Sequence, residues 1–80
     1  MSKASSIAPD FFRVVLERVR KAVANPENRN DDGSVYWEFV DADVYMETNP
    51  TEGCRELYMN LFDEACDLVE AELFLGKKLA

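Results

Sequence analysis

The sequence predicts an α+β fold: a small single domain in the order helix, two-stranded antiparallel hairpin, long helix. Three observations predict it. An amphipathic run extends from Pro9 to Ala24, a stretch rich in aromatic and β-branched residues lies between Val35 and Thr48, and a longer amphipathic run follows Asn49-Pro50. The chain has 80 residues, of which 48% are hydrophobic. That composition belongs to a globular domain, and the length allows one domain with a modest core. Residues 1–8 and 77–80 are expected to be flexible tails.

The first helix is expected from about Pro9 to Ala24. Proline suits a first turn, where its missing N–H costs nothing, and Asp10 suits the positive end of the helix dipole. Phe12, Val15, Leu16, Val19 and Val23 recur at helical spacing, and Phe11 and Val14 widen that face. Arg13, Glu17 and Lys21 form an i, i+4 ladder on the opposite, wet side. Asn25-Pro26 ends the helix, and the segment from Glu27 to Gly33 reads as a polar loop closing in a turn.

The middle segment is expected to be the hairpin. Val35-Tyr36-Trp37-Glu38-Phe39-Val40 and Val44-Tyr45-Met46-Glu47-Thr48 alternate in polarity, and a turn at Asp41-Ala42 brings the two alternations into phase. One face then carries Val35, Trp37, Phe39, Val44, Met46 and Thr48. The other pairs Glu38 with Tyr45 and Tyr36 with Glu47. Trp37, Phe39, Val44 and Met46 are expected to pack against Phe12, Leu16 and Val19 and against Leu61, Phe62, Ala65 and Leu68.

The last helix is expected to run from Pro50 to about Leu75. Asn49-Pro50-Thr51-Glu52 reads as an N-cap, a proline at the first helical position and a glutamate reaching back. Gly76 suits a left-handed C-terminal cap, and Lys77 and Lys78 suit the negative end of the dipole. Cys54, Leu57, Tyr58, Leu61, Phe62, Ala65, Leu68, Val69 and Leu73 make the apolar stripe. Gly53 in the first turn suggests a close contact. Cys54 and Cys66 stand about 18 Å apart along this helix, too far for a disulfide within it. They read as packed thiols in a reducing compartment, and a bridge between subunits is the alternative.

Charge is unevenly distributed. Nine basic residues face sixteen acidic ones, a net charge of −7. Residues 1–26 carry five basic and two acidic side chains, whereas residues 27–80 carry four and fourteen. Such a balance argues against direct nucleic-acid binding and favours a protein partner with a basic surface. No stretch is long and apolar enough for a membrane span, and no secretory signal is evident at the N-terminus, so a cytoplasmic protein is expected.

The inventory disfavours catalysis. There is no histidine, no glycine-rich phosphate loop and no cysteine pair spaced for zinc. We therefore expect neither an enzyme nor a bound cofactor or metal. The notable feature lies opposite the apolar stripe of the last helix, where Glu52, Glu56, Asn60, Asp63, Asp67 and Glu70 follow at spacings of three and four, with Glu64 and Glu72 beside them. This ridge admits three readings: a solvated face, a weak carboxylate site for hard cations, or a row of anionic groups that imitates a phosphate backbone. Tyr36 and Tyr45, with Glu38 and Glu47 on the outer hairpin face, are candidate partner contacts, since tyrosine is enriched at binding hot spots.

In size and charge the chain resembles the small acidic inhibitors that phages and mobile elements deploy against nucleic-acid-handling defence systems. The likeness is one of composition and implies an inhibitor that occupies a basic groove. The alternative expectation is a self-associating structural or adaptor subunit, a homodimer joined through the hairpin edges and the long helix.

Overall fold

A computed structural model describes residues 4–79. The helical turn α1 (Ala4–Ile7) precedes three longer helices, α2 (Pro9–Ala24), α3 (Trp37–Thr48) and α4 (Arg55–Leu79). Short 3₁₀ turns at Pro26–Asn28 and Glu52–Cys54 lie in the two connections. The long axis of the molecule, 38 Å, matches the length of α4, about 37 Å for 25 residues. Arg18 pairs with Glu47 and Asn28 bonds to Asp43, so α3 runs back along α2. Helix α4 packs mainly on α2 and crosses α3 in the reverse sense, Tyr45 meeting Tyr58 and Asp41 lying near Asp63.

Helix α2 has the expected bounds, with proline at its start and Asp10 in its first turn. Val15, Val19, Ala22 and Val23 are buried, while Phe11, Phe12 and Leu16 pack around them half-buried. Arg13, Glu17 and Lys21 are exposed as the ladder predicts. Val14, expected to widen the apolar face, points outward.

The connection after α2 is held by side chains. The buried amide of Asn28 donates to the Ala22 carbonyl (2.9 Å) and to the Asp43 carboxylate (3.2 Å). Arg29 donates from Nε to the Val23 carbonyl (2.8 Å) and from Nη1 to the Gly33 carbonyl (2.9 Å). Two residues thereby satisfy helix-end carbonyls that α2 leaves without intrahelical partners. Gly33 adopts φ +89°, a turn conformation that glycine alone takes without strain, and an isolated antiparallel bridge joins Arg29 to Val35.

The hairpin is not present. Trp37 to Thr48 form one helix, and no sheet or strand pair occurs among the described residues. The reason is where burial is available. As a helix, the segment points Val40 and Val44, four apart, into the core at 0% and 1% exposure, with Trp37 and Thr48 on the same side. Fully burying a valine stabilises by about 1.5–3 kcal/mol, more than the weak intrinsic preference of valine and aromatic residues for strands. The cost falls on the residues that the hairpin would have buried: Phe39 is 54% and Met46 78% exposed, and Trp37 is only partly buried.

Asn49 also plays a different part from the one expected. It adopts a left-handed conformation (φ 45°, ψ 58°) and its backbone N–H donates to the Tyr45 carbonyl (2.8 Å), so it closes α3 rather than opening α4. The chain enters α4 through the 3₁₀ turn beginning after Thr51, whose side chain makes no capping bond. A methyl group added at Gly53 would meet nothing within 4 Å, so no close contact requires that glycine. At the other end α4 continues through Gly76 to Leu79, and Ala4–Ile7 are helical and pack on α2 and α4; residues 1–3 and 80 lie outside the described residues.

Tyr58, Leu61, Ala65 and Val69 form the buried line of α4, flanked by half-buried Leu57, Phe62, Cys66 and Leu73. Leu68 is exposed, and so is Cys54, which is therefore not a core thiol. Both cysteines are free.

Candidate protein-binding surface

The acidic ridge is placed by the geometry of α4 itself. Taking 100° per residue, Glu56, Asn60, Asp63, Asp67 and Glu70 fall within a sector about 80° wide. Tyr58, Leu61, Ala65 and Val69 occupy an equal sector centred on the opposite side. Because the second set must face the core, the first must face water, and all five ridge residues are exposed. Glu52 is exposed as well, but it belongs to the 3₁₀ turn rather than to α4. Phe74, four residues beyond Glu70, continues the same line and is 65% exposed. Met59, 63% exposed, flanks the line at its other end.

Three of the arginines, Arg18, Arg20 and Arg29, are engaged away from the ridge. Arg20 donates from Nε and Nη2 to the two carboxylate oxygens of Glu72 (3.1 and 2.6 Å). That forked bond raises the Arg20 pKa and holds the Glu72 carboxyl below its ordinary value. Arg18 pairs with Glu47 at 3.2 Å. Among the described residues no ion pair reaches Glu56, Asp63, Asp67 or Glu70. Arg18 and Arg20 of α2 are thus both bonded within their own chain.

Where α3 meets α4, like charges crowd together. Desolvation first, and the Asp63 carboxylate second, push the Asp41 carboxyl above its ordinary value. Burial, followed by the charges of Asp63, Asp41, Asp67 and Glu70, pushes the Cys66 thiol up to about 12. That thiol stays protonated at neutral pH and is a poor nucleophile. Beneath the seam lies Tyr58, 1% exposed, its ring 5.4 Å from Tyr45 in an edge contact and 5.9 Å from Phe62 in a stacked one. Its hydroxyl is buried and has no hydrogen-bond partner among the described residues. Desolvation, with Asp41 next, raises its pKa.

No family model matches this chain, and no curated protein or solved structure is found to be similar to it. Its own geometry therefore carries the functional reading. Among the described residues no group of three or more metal-ligating side chains is placed to hold a metal ion, and no helix is long and apolar enough to cross a membrane.

The four residues grouped on the outer hairpin face are dispersed by α3. Tyr36 lies at the start of the helix, 36% exposed, with its hydroxyl 3.4 Å from Glu38 Oε2 and its ring 4.3 Å from that of Phe39. Tyr45 turns the other way, half-buried against Tyr58, and Glu47 faces α2 and Arg18. Glu56, Asp63, Asp67 and Glu70 remain together on one side of α4, whereas Glu52 lies in the 3₁₀ turn before it. Phe39 and Met46 were missed as surface residues because a period-two reading puts both inside. Phe74 was legible, since it extends the ridge spacing by one more step of four.

Proposed function

We propose that the chain is a small acidic protein-binding module of the cytoplasm. It acts as an inhibitor, lying in the basic nucleic-acid-binding groove of a partner protein and presenting carboxylates where the groove accepts phosphates. One observation carries this reading: Glu56, Asp63, Asp67 and Glu70 form an exposed line, without ion pairs among the described residues, on the outer face of the longest helix. Like charges at such spacing destabilise a helix by a few tenths of a kcal/mol per pair, roughly, so a row of them opposes folding. The buried line on the other side of α4 offsets that cost, which leaves the charge available for association.

The density of charge says what kind of mimic this is. The four carboxylates span about 21 Å of helix axis, roughly one per 5–7 Å. A nucleic-acid strand presents one phosphate per about 3.4 Å. The ridge is thus a sparser anion than the ligand it replaces, and apolar contacts such as Phe74 and Met59 supplement it. Electrostatic association of this kind weakens as salt screens the opposed charges.

The test replaces Asp63, Asp67 and Glu70 together by Asn, Asn and Gln. Partners recovered from the native host with the parent chain are identified by mass spectrometry, and their affinities measured by calorimetry at low and high salt. The parent complex is expected to weaken steeply with salt, and the triple variant to lose binding while keeping its helical circular dichroism. Equal binding by parent and variant at both salt concentrations would reduce the ridge to a solvated surface.

A further inference from the structure

Helix α3 is apolar on two sides, and the core covers one of them. Val40 and Val44 point inward, whereas Phe39 and Met46, seven residues apart, stand on the opposite side at 54% and 78% exposure. Ala42 lies exposed between them, and the ring of Tyr36 extends the line at its N-terminal end, 4.3 Å from that of Phe39. A depression of about 270 Å³, lined by Asn30, Val35, Tyr36, Trp37 and Glu38, adjoins Tyr36. From Tyr36 to Met46 the strip is about 15 Å long, three turns of helix. Exposed apolar residues at one helical spacing, on a surface otherwise rich in charge, mark a place where something docks.

The edges of the strip say what docks there. Every charged residue of α3 is acidic: Glu38, Asp41, Asp43 and Glu47. On the edge toward α2 they are engaged, Asp43 by Asn28 and Glu47 by Arg18. On the edge toward α4, Glu38 and Asp41 have no cation among the described residues, and Asp63 of the ridge lies across the seam from Asp41. A second copy of this chain laid on the strip would bring Glu38, Asp41 and Asp43 of both copies around one apolar seam, an arrangement that like-charge repulsion opposes.

We infer that the strip Tyr36–Phe39–Ala42–Met46 is the docking site for an amphipathic helix of a basic partner. Its apolar anchors lie on Phe39 and Met46, and its lysine or arginine edge faces Glu38, Asp41 and Asp63. This rests on the reading that the partner is basic, and it adds where the apolar part of the contact falls. Small Ala42 at the centre lets the two helices approach closely, and the anchors on either side supply the apolar area that a sparse ridge lacks.

The probe is a synthetic eighteen-residue peptide with leucine at i, i+3, i+4 and i+7 and lysine along one edge, compared with the same peptide carrying glutamate there. Binding is read from backbone amide shifts and from the fluorescence of Trp37, the single tryptophan. The lysine peptide is expected to shift residues 36–46, to lose at least tenfold in affinity for the Phe39→Ser, Met46→Ser variant, and to bind at least tenfold more tightly than the glutamate peptide. Both serine positions are exposed, so folding is expected to persist, and circular dichroism checks it. Shifts confined to α4, or equal binding by both peptides, would overturn the assignment. So would a concentration-dependent dimer in sedimentation that the serine substitutions dissolve, since the occupant would then be a second copy. The Asp63, Asp67, Glu70 variant separates the two readings: against the host partner, loss with the serine variant alone refutes the ridge, and loss with the ridge variant alone refutes the strip.

Discussion

Replacing Tyr58 by Phe should make this protein more stable. The side chain is 1% exposed, its ring contacts Tyr45 and Phe62, and its hydroxyl is buried without a hydrogen-bond partner among the described residues. Phenylalanine keeps the ring and both aromatic contacts and removes only the oxygen. Leaving a buried polar group unsatisfied costs about 1–3 kcal/mol, so its removal is expected to return about 1 kcal/mol or more. At about 0.05–0.15 kcal/mol per residue, a chain of this size has a total stability of roughly 4–12 kcal/mol, so the gain is a large fraction. The thermal midpoint is then expected to rise by about 4–8 °C per kcal/mol. Thermal and urea unfolding followed by circular dichroism measure it. The alkaline limb supplies a second readout. Because the folded state raises the phenol pKa, the neutral form is favoured on folding, and that contribution is complete below the ordinary tyrosine value near 10 and lost as pH rises beyond it. Tyr58→Phe should therefore lose less stability than the parent on going from pH 9 to pH 11. A variant less stable than the parent by about 1 kcal/mol, with an unchanged alkaline limb, would show that the hydroxyl is bonded in the native state and refute this reasoning.

Two further substitutions test the packing and the charge at the α3–α4 seam. Leu61→Ala deletes a side chain that is 0% exposed on the buried line of α4, and a loss of about 2–5 kcal/mol is expected in urea unfolding, enough to leave the domain marginal or unfolded. Asp41→Asn should raise the thermal midpoint at pH 7, because the raised folded pKa means that the charged carboxylate opposes folding above its ordinary value. That gain should vanish when the comparison is made at pH 3, and a gain equal at both pH values would show that charge is not its source.

The two ends of the protein were legible in the sequence because each helix there has a face of its own. In α2, Val15, Val19 and Val23 repeat every four residues opposite the polar ladder Arg13, Glu17 and Lys21, and in α4 the buried line and the acidic ridge take opposite sectors. Period and polarity agree in both, so the sequence alone placed the helices, the outward direction of Glu56, Asp63, Asp67 and Glu70, and the charge that any partner meets. The start of α4 was harder. Asn25-Pro26 and Asn49-Pro50 are the same dipeptide, which serves equally as the stop of one helix or the start of the next. In both places the structure uses the asparagine to close the preceding helix, and at Asn49 a left-handed backbone does so.

The middle segment was decided by tertiary packing alone. From Val35 to Thr48 the apolar residues fit a period of two once a turn is allowed at Asp41-Ala42, and Trp37, Val40, Val44 and Thr48 fit a helical period equally well. Strand-favouring side chains tip a local reading towards the hairpin, but a lone two-stranded hairpin is marginal in water. The groove beside α2 and α4 buries Val40, Val44 and one edge of Tyr45 when the segment is helical. That choice leaves Phe39 and Met46 outside, moves Tyr36 and Tyr45 to different sides, and creates the apolar strip beside the acidic seam. None of this follows from local propensity, because which face of an ambiguous segment is buried depends on the surfaces that the other helices bring to it.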